Sequence, residues 1–285
     1  MGFYRGGPIL QSALSARRPN VPIYELLGGK VRDSVKVYAW IGGDRPDDVR
    51  QQALGRLAQG FKAVKMNATA DVGWLDAPAS LDSAADRLAT VRSLGMDAGV
   101  DFHGRIHKPM AKQLAKLLKE HRPMFIEEPL LSENHEGIAE LSQLTTTPIA
   151  LGERLHSRWD VKKFLNPTTI DILQPDISHI YAICEASDIA IAPHCQLGSI
   201  ALAVCLQIAA STPNHVIQEK SLGIHYNIES SEEGYRNLPQ VFDVTKGYVN
   251  IADGPGLGIE VNEEVVPKLS PDVSFVAYDG SLREW

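Results

Sequence analysis

The 285-residue sequence is short of several things, and each shortage excludes a class of protein. It has only three cysteines, Cys184, Cys195 and Cys205. An odd number without metal-type spacing argues against a disulfide framework, favours a reducing compartment, and leaves the thiols as small core residues. There is no surplus of positive charge: the formal net charge is −7 and the pI is near 5.7. Gripping a phosphate backbone needs clustered Lys and Arg, so no nucleic-acid partner is expected. Long apolar runs are missing too. The most apolar stretch, 200–206, falls short of the ~20 residues that span a bilayer. Gln11 and Ser12 interrupt the apolar core that a secretory signal between Arg5 and Ala16 would require. No membrane partner is expected, and the chain reads as cytoplasmic.

What is present is a globular composition, 44% hydrophobic and 22% charged, which excludes disordered and collagen-like chains. The first 34 residues are rich in Gly, Pro and Arg and too sparse to fold alone. From Val35 onward the pattern is regular. Strands are expected over 35–40, 61–67, 99–101, 124–126, 149–151, 170–174, 189–192 and 216–218. Between them, helical patterns occupy 47–59, 83–93, 110–121, 137–144, 160–165, 182–187 and 200–210. The stretch 177–188 must hold a loop, a helix and a return loop, where a helix alone usually takes about 10–12 residues. The sixth helix is therefore expected to be cut down.

Strand and helix alternating at roughly 25-residue spacing predict a closed parallel (β/α)8 TIM barrel of the α/β class. An open doubly wound sheet would carry a Gly-rich nucleotide loop after its first strand, and none is present. After Glu219 the character changes, with 248–250 and 254–259 suggesting turns and short strands packed on the barrel. The expected division is 1–34 as a preceding segment, 35–219 as the barrel and 220–285 as a C-terminal segment packing on it.

In such barrels chemistry gathers where the strands end. Here those ends carry Asn67, Asp101, Glu127, Glu153, Asp176, His194 and Glu219, five of them carboxylates. Asp101, Glu127 and Glu153 recur at a constant interval of 26 residues. On neighbouring strands, about 4.8 Å apart, they would repel one another unless a cation lay between them. Hard oxygen ligands without a nearby thiolate favour Mg²⁺, with Mn²⁺ possible, one per subunit. His194 and Asp176 end adjacent strands, the arrangement that fixes a tautomer and prepares a general base. His103, two residues past Asp101, is a candidate acid approaching from another direction. His103 with His107 at i, i+4 offers a zinc alternative, weakened by Gly104 and Pro109, which break helical geometry there. Asn67-Ala68-Thr69 matches a glycosylation sequon, which without a secretory signal carries no weight. His179, His215 and His225 have no comparable context.

Six segments in order, Asp101-Phe102-His103-Gly104-Arg105, Ile126-Glu127-Glu128-Pro129, Gly152-Glu153-Arg154, Leu173-Gln174-Pro175-Asp176, Ala192-Pro193-His194-Cys195 and Gln218-Glu219-Lys220-Ser221, resemble the enolase superfamily. Within it they are most similar to the galactonate dehydratase branch of the mandelate racemase group. The resemblance implies a (β/α)7β barrel with Asp101, Glu127 and Glu153 as Mg²⁺ ligands, His194 with Asp176 as the base, and His103 as the acid. It further implies Glu219 hydrogen-bonded to the substrate carboxylate, and Asn67 and Arg105 as substrate-binding residues. The implied reaction removes the C2 proton of a sugar acid, passes through a metal-stabilised enediolate, and expels the C3 hydroxyl to leave a 2-keto-3-deoxy acid. Racemases of the group carry Lys-x-Lys; here the segment is Lys65-Met66-Asn67, which favours dehydration over racemisation.

The family also carries an N-terminal α+β capping domain, of which residues 1–34 resemble only a remnant. The helix the family places between the Ser12 and Pro22 regions is shortened around 16–19. These shortenings are expected to lower stability or favour a homo-oligomer. They keep two alternatives open: a weakly active or inactive homologue that binds metal only, and a dehydratase for another aldonate.

Overall fold

The computed structural model describes residues 20–42, 46–69, 72–165, 169–176, 181–196, 198–221 and 242–261. The segment before Asn20, residues 177–180 and most of the C-terminal stretch lie outside the described residues, as do His179 and His225.

Among the described residues eight parallel strands follow one another: β1 Ser34–Ile41, β2 Ala63–Asn67, β3 Asp97–Asp101, β4 Ile126–Glu127, β5 Ile149–Leu151, β6 Ile172–Leu173, β7 Ala190–Ile191 and β8 Gln218–Glu219. Each pairs with its predecessor through β7, and β8 pairs with β1. The ring is closed at the β7–β8 seam. There Ile191 bridges His215, with Ile191 N–H donating to Asn214 O at 2.9 Å and Val216 N–H to Ile191 O at 2.9 Å. This is the barrel the spacing predicts. A ninth strand, β9 Tyr248–Asn250, lies antiparallel along the start of β1, from Ser34↔Asn250 to Lys36↔Tyr248.

Several ladders are shorter than the apolar runs suggest, because β4, β6, β7 and β8 each keep two residues in regular pairing while single backbone bonds continue beyond them. The crossover helices are α2 Pro46–Ala58, α3 Ala79–Ser93, α4 Lys108–Leu118, α5 His135–Leu144, α6 Arg158–Lys162, α7 Tyr181–Ala186 and α8 Ser199–Ser211, preceded by a short α1 at Ile23–Leu26. Helix α5 starts earlier than expected because Asn134 caps it, accepting from Gly137 N–H at 3.1 Å. Helix α6 also starts early. Ser157 and Asp160 form a reciprocal capping box around its first turn. Helix α7 is cut to six residues, as the spacing required. Helix α1 docks on α8 through Tyr24 N–H, which donates to the Gln207 Oε1 at 3.1 Å.

Successive strand side chains point to opposite faces, which explains how the core and the site are stacked. One set, including Val37, Val64, Val100, Ile126, Leu151, Leu173 and Ile191, faces outward into a core shared with Leu88, Leu114 and Ile138 of the helices. The other set faces the barrel interior. Its first layer is apolar and forms a separate cluster: Tyr38, Ala63, Phe125, Ala150, Ile172, Ala192 and Ile217. Large and small residues alternate so that the taper is filled. Tyr38 and Phe125 lie 5.9 Å apart between ring centroids, and Phe125 reaches over Gly99, where an added Cβ would sit 2.5 Å from its ring. Two residues further along the strands, the same inward positions hold Trp40, Lys65, Asp101, Glu127, Gln174, His194 and Glu219. Period-2 alternation thus lifts a polar layer directly onto an apolar floor. Among the described residues no helix is long and apolar enough to cross a membrane.

Candidate active site

The polar layer opens into a cavity of about 310 Å³ at the C-terminal ends of the strands, as the barrel architecture dictates. Asn67, Asp101, His103, Arg105, Glu153, His194 and Glu219, all expected from the sequence, line it together. Asp176 stands behind His194, and Glu127 lies beneath, fully buried against Lys65. His107 takes no part. It stacks on Trp74 with ring centroids 3.6 Å apart, at the start of α4, so the structure does not bring the two candidate zinc histidines together in the cavity.

Asp101 and Glu127 are register partners across β3 and β4. Glu153 is different. Glu127 pairs with Ala150, and β5 ends at Leu151, so the constant interval of 26 places Glu153 in a turn beyond its strand. Gly152 makes this possible. Its φ is +147°, and an added Cβ would lie 2.8 Å from the backbone of Gln174, so only glycine lets the chain pass β6 this closely. The buried Glu128 carboxyl holds the turn, accepting from Gly152 N–H at 2.9 Å and from Ser132 Oγ at 2.9 Å. Burial pushes that carboxyl up to about 7.

Two imidazoles flank Glu153. His194 Nε2 is 3.3 Å from Glu153 Oε2, and His103 Nε2 is 3.9 Å from Glu153 Oε1. Each ring is oriented from behind by its own carboxylate: His194 Nδ1 is 2.8 Å from Asp176 Oδ1, and His103 Nδ1 is 2.8 Å from Asp101 Oδ2. Asp101 also accepts His103 N–H at 2.7 Å, a tight turn in which His103 adopts φ +56°. Burial works against a charged His194, but the charge of Glu219 and the Asp176 bond outweigh it and lift the ring to about 9. The Asp101 bond raises His103 against its partial burial.

The carboxylates are crowded and dry. Burial drives Glu127 up to about 8, and the charges of Asp101, Glu219 and Glu153 add to this while Lys65 opposes it. For Asp101 and Glu219, burial is overcome by partners: His103 and Lys65 for Asp101, and Lys65 and His194 for Glu219, so both sit below the usual carboxylate range. Lys65, 2% exposed, reaches Glu127 Oε1 at 2.5 Å and Glu219 Oε1 at 3.3 Å. Gln174 Nε2 donates to the other Glu127 oxygen at 2.7 Å, and Cys195 N–H donates to Glu219 Oε2 at 2.9 Å.

Among the described residues no three acidic, imidazole or thiol groups draw together tightly enough to form a ready-made metal cage. The donor chemistry nonetheless suits a hard divalent cation: Asp101, Glu127 and Glu153 offer oxygens only, and burial together with the neighbouring carboxylates works against the charge of Glu127, which such a cation would favour.

The sequence reading did not place Lys65, Trp40, Gln174, Gln196 or Ser221 at the site. Lys65, Trp40, Gln196 and Ser221 line the cavity and Gln174 holds Glu127. Period-2 alternation was the available signal for Trp40, Lys65 and Gln174, since each lies two residues beyond an inward apolar position of its strand.

Comparison with known proteins gives a consistent result. Residues 48–265 match the family described as enolase C-terminal domain-like. A D-galactonate dehydratase from Ralstonia pickettii is 43% identical, covering 100% of this chain and 82% of its own length. One from Variovorax paradoxus is 42% identical, covering 99% and 81%. Among solved structures, a member of the enolase superfamily from Salmonella Typhimurium superimposes with a TM-score of 0.81 at 26% identity, covering 93% of this chain and 75% of its own.

Proposed function

This chain belongs to the enolase superfamily, and from that premise we propose that it is a hydro-lyase that dehydrates a sugar acid, D-galactonate, to 2-dehydro-3-deoxy-D-galactonate and water. The observation that carries this reading is the pair of imidazoles converging on Glu153, each anchored at Nδ1 by its own carboxylate and each presenting Nε2 to the same space. Loss of water across C2 and C3 needs a base on one carbon and an acid on the other. One pair of histidines supplies both.

In the reaction the neutral form of His194 takes the C2 proton at Nε2, with Asp176 holding the ring and stabilising the imidazolium that results. His103 Nε2 gives its proton to the C3 hydroxyl, which leaves as water as the C2–C3 double bond forms. The resulting enol tautomerises to the 2-keto-3-deoxy acid. Each proton transfer is worth roughly 10²–10⁴-fold in rate. Asp101, Glu127 and Glu153 would hold Mg²⁺, or Mn²⁺, whose charge stabilises the negative charge that builds on the substrate carboxylate when the C2 proton is lost. Glu219 is assigned to that carboxylate. Asn67 and Arg105, on the wall, are assigned to the substrate hydroxyls.

The test is turnover of D-galactonate with Mg²⁺, read as 2-keto-3-deoxy product, beside a panel of other aldonates. Activity on D-galactonate that disappears in His194→Asn, with Mg²⁺ binding retained, supports the reading. A His194→Asn protein with full activity overturns it.

A further inference from the structure

Lys65 is the most deeply buried cation in the cavity wall, and it is unusual in serving two carboxylates at once. Its ammonium lies 2.5 Å from Glu127 and 3.3 Å from Glu219, and 5.7 Å from the centre of the Tyr38 ring beneath it. Its side chain is only 2% exposed. A buried ammonium persists only where negative charge compensates it, and buried carboxylates persist only where positive charge compensates them. The strand fixes where Lys65 stands: Ala63 is in the apolar floor layer, and Lys65 is the next inward residue of β2. Its register partner on β3 is Gly99, over which the Phe125 ring packs in the apolar floor.

Resting on the metal assignment above, we infer that Lys65 is a built-in counter-ion which occupies Glu127 in the metal-free protein and must release it, withdrawing onto Glu219, before a divalent cation can bind. Two features of the site support the exchange. Glu127 is the only one of the three assigned ligands that Lys65 touches, and both of its oxygens are already engaged, one by Lys65 and one by Gln174. Glu219 lies on the opposite side of the ammonium, on β8, already within ion-pair distance and anchored by Cys195 N–H. The lysine therefore has a second seat prepared. The arrangement keeps the carboxylate layer folded without metal and sets a threshold cation concentration for loading it.

The experiment is calorimetric titration of Mg²⁺ alone into the substrate-free chain, wild type and Lys65→Met, with thermal unfolding of each without metal. Removal of the competitor should tighten Mg²⁺ binding by roughly tenfold or more, while the metal-free melting temperature falls by about 5 °C or more. A residue with a merely structural role would weaken metal binding when lost, so the opposite sign is diagnostic. Mg²⁺ affinity that is unchanged or weaker in Lys65→Met overturns the counter-ion role while leaving the metal assignment standing. A wild-type chain that binds no Mg²⁺ overturns the metal assignment itself. Should Lys65→Met not fold, crystal structures of the wild type with and without Mg²⁺ decide. The Lys65–Glu127 contact should open when the cation sits on Glu127, and a contact kept intact beside the bound cation contradicts the inference.

Discussion

Glu153 lies between His103 and His194, with one carboxylate oxygen 3.9 Å from the first Nε2 and the other 3.3 Å from the second. A single side chain thus sets the spacing of the proposed acid and base. Its own position depends on Gly152, which no other residue can replace without meeting the Gln174 backbone.

Replacing the Glu153 charge therefore acts on both rings. In Glu153→Gln both imidazoles should titrate lower than in the wild type, because the carboxylate contributes to raising each of them. Turnover should fall by more than ~10²-fold. Histidine NMR titration of the substrate-free protein checks the first part and steady-state kinetics the second. Unmoved titration curves would contradict the placement.

The barrel floor offers a test of packing that leaves the chemistry alone. Gly99→Ala puts a methyl group 2.5 Å from the Phe125 ring, and overpacking of this kind costs about 1–3 kcal/mol. The melting temperature should drop by several degrees. Adding Phe125→Leu should recover part of that loss, a coupling expected of residues in contact. Additive losses in the double variant would mean that the two residues do not share the space.

The seam between β7 and β8 predicts an acid sensitivity. His215 is buried there, and its Nε2 has no hydrogen-bond partner among the described residues. Burial, with help from Arg32, pulls its pKa down to about 3 from an ordinary value of 6.5. Between these values the unfolded chain binds a proton that the folded chain refuses. Stability is therefore complete above about pH 6.5 and is lost as pH falls toward 3, at up to about 1.4 kcal/mol per pH unit from this group. Denaturant unfolding of wild type and His215→Gln across that range should show the stability difference between them shifting by this slope. Parallel pH profiles would contradict it.

Much of this organisation was legible in the sequence because a parallel barrel repeats. The 26-residue interval located Asp101 and Glu127 at true register partners, and His194 with Asp176 followed from adjacent strand ends. The same interval misdescribed Glu153, since the glycine before it moves the carboxylate off the strand into a turn, a matter of φ that spacing does not reveal. Lys65 escaped as a site residue because Ala63-Val64-Lys65-Met66 reads as one buried strand, and only alternation against the apolar floor gives the lysine its direction. Helix starts at Asn134 and Ser157 were missed where capping side chains extend a helix ahead of its apolar stripe. The pairing of β9 with the start of β1 is non-local, and no local pattern specifies its register.

The central claim is that His194 removes the C2 proton and His103 protonates the departing hydroxyl. Its most direct test is proton NMR of D-galactonate incubated in D₂O with Mg²⁺ and with the wild type, His103→Asn or His194→Asn. The account predicts that His103→Asn exchanges the C2 proton for deuterium without releasing product, while His194→Asn neither exchanges nor dehydrates. Exchange retained in His194→Asn and lost in His103→Asn would contradict it.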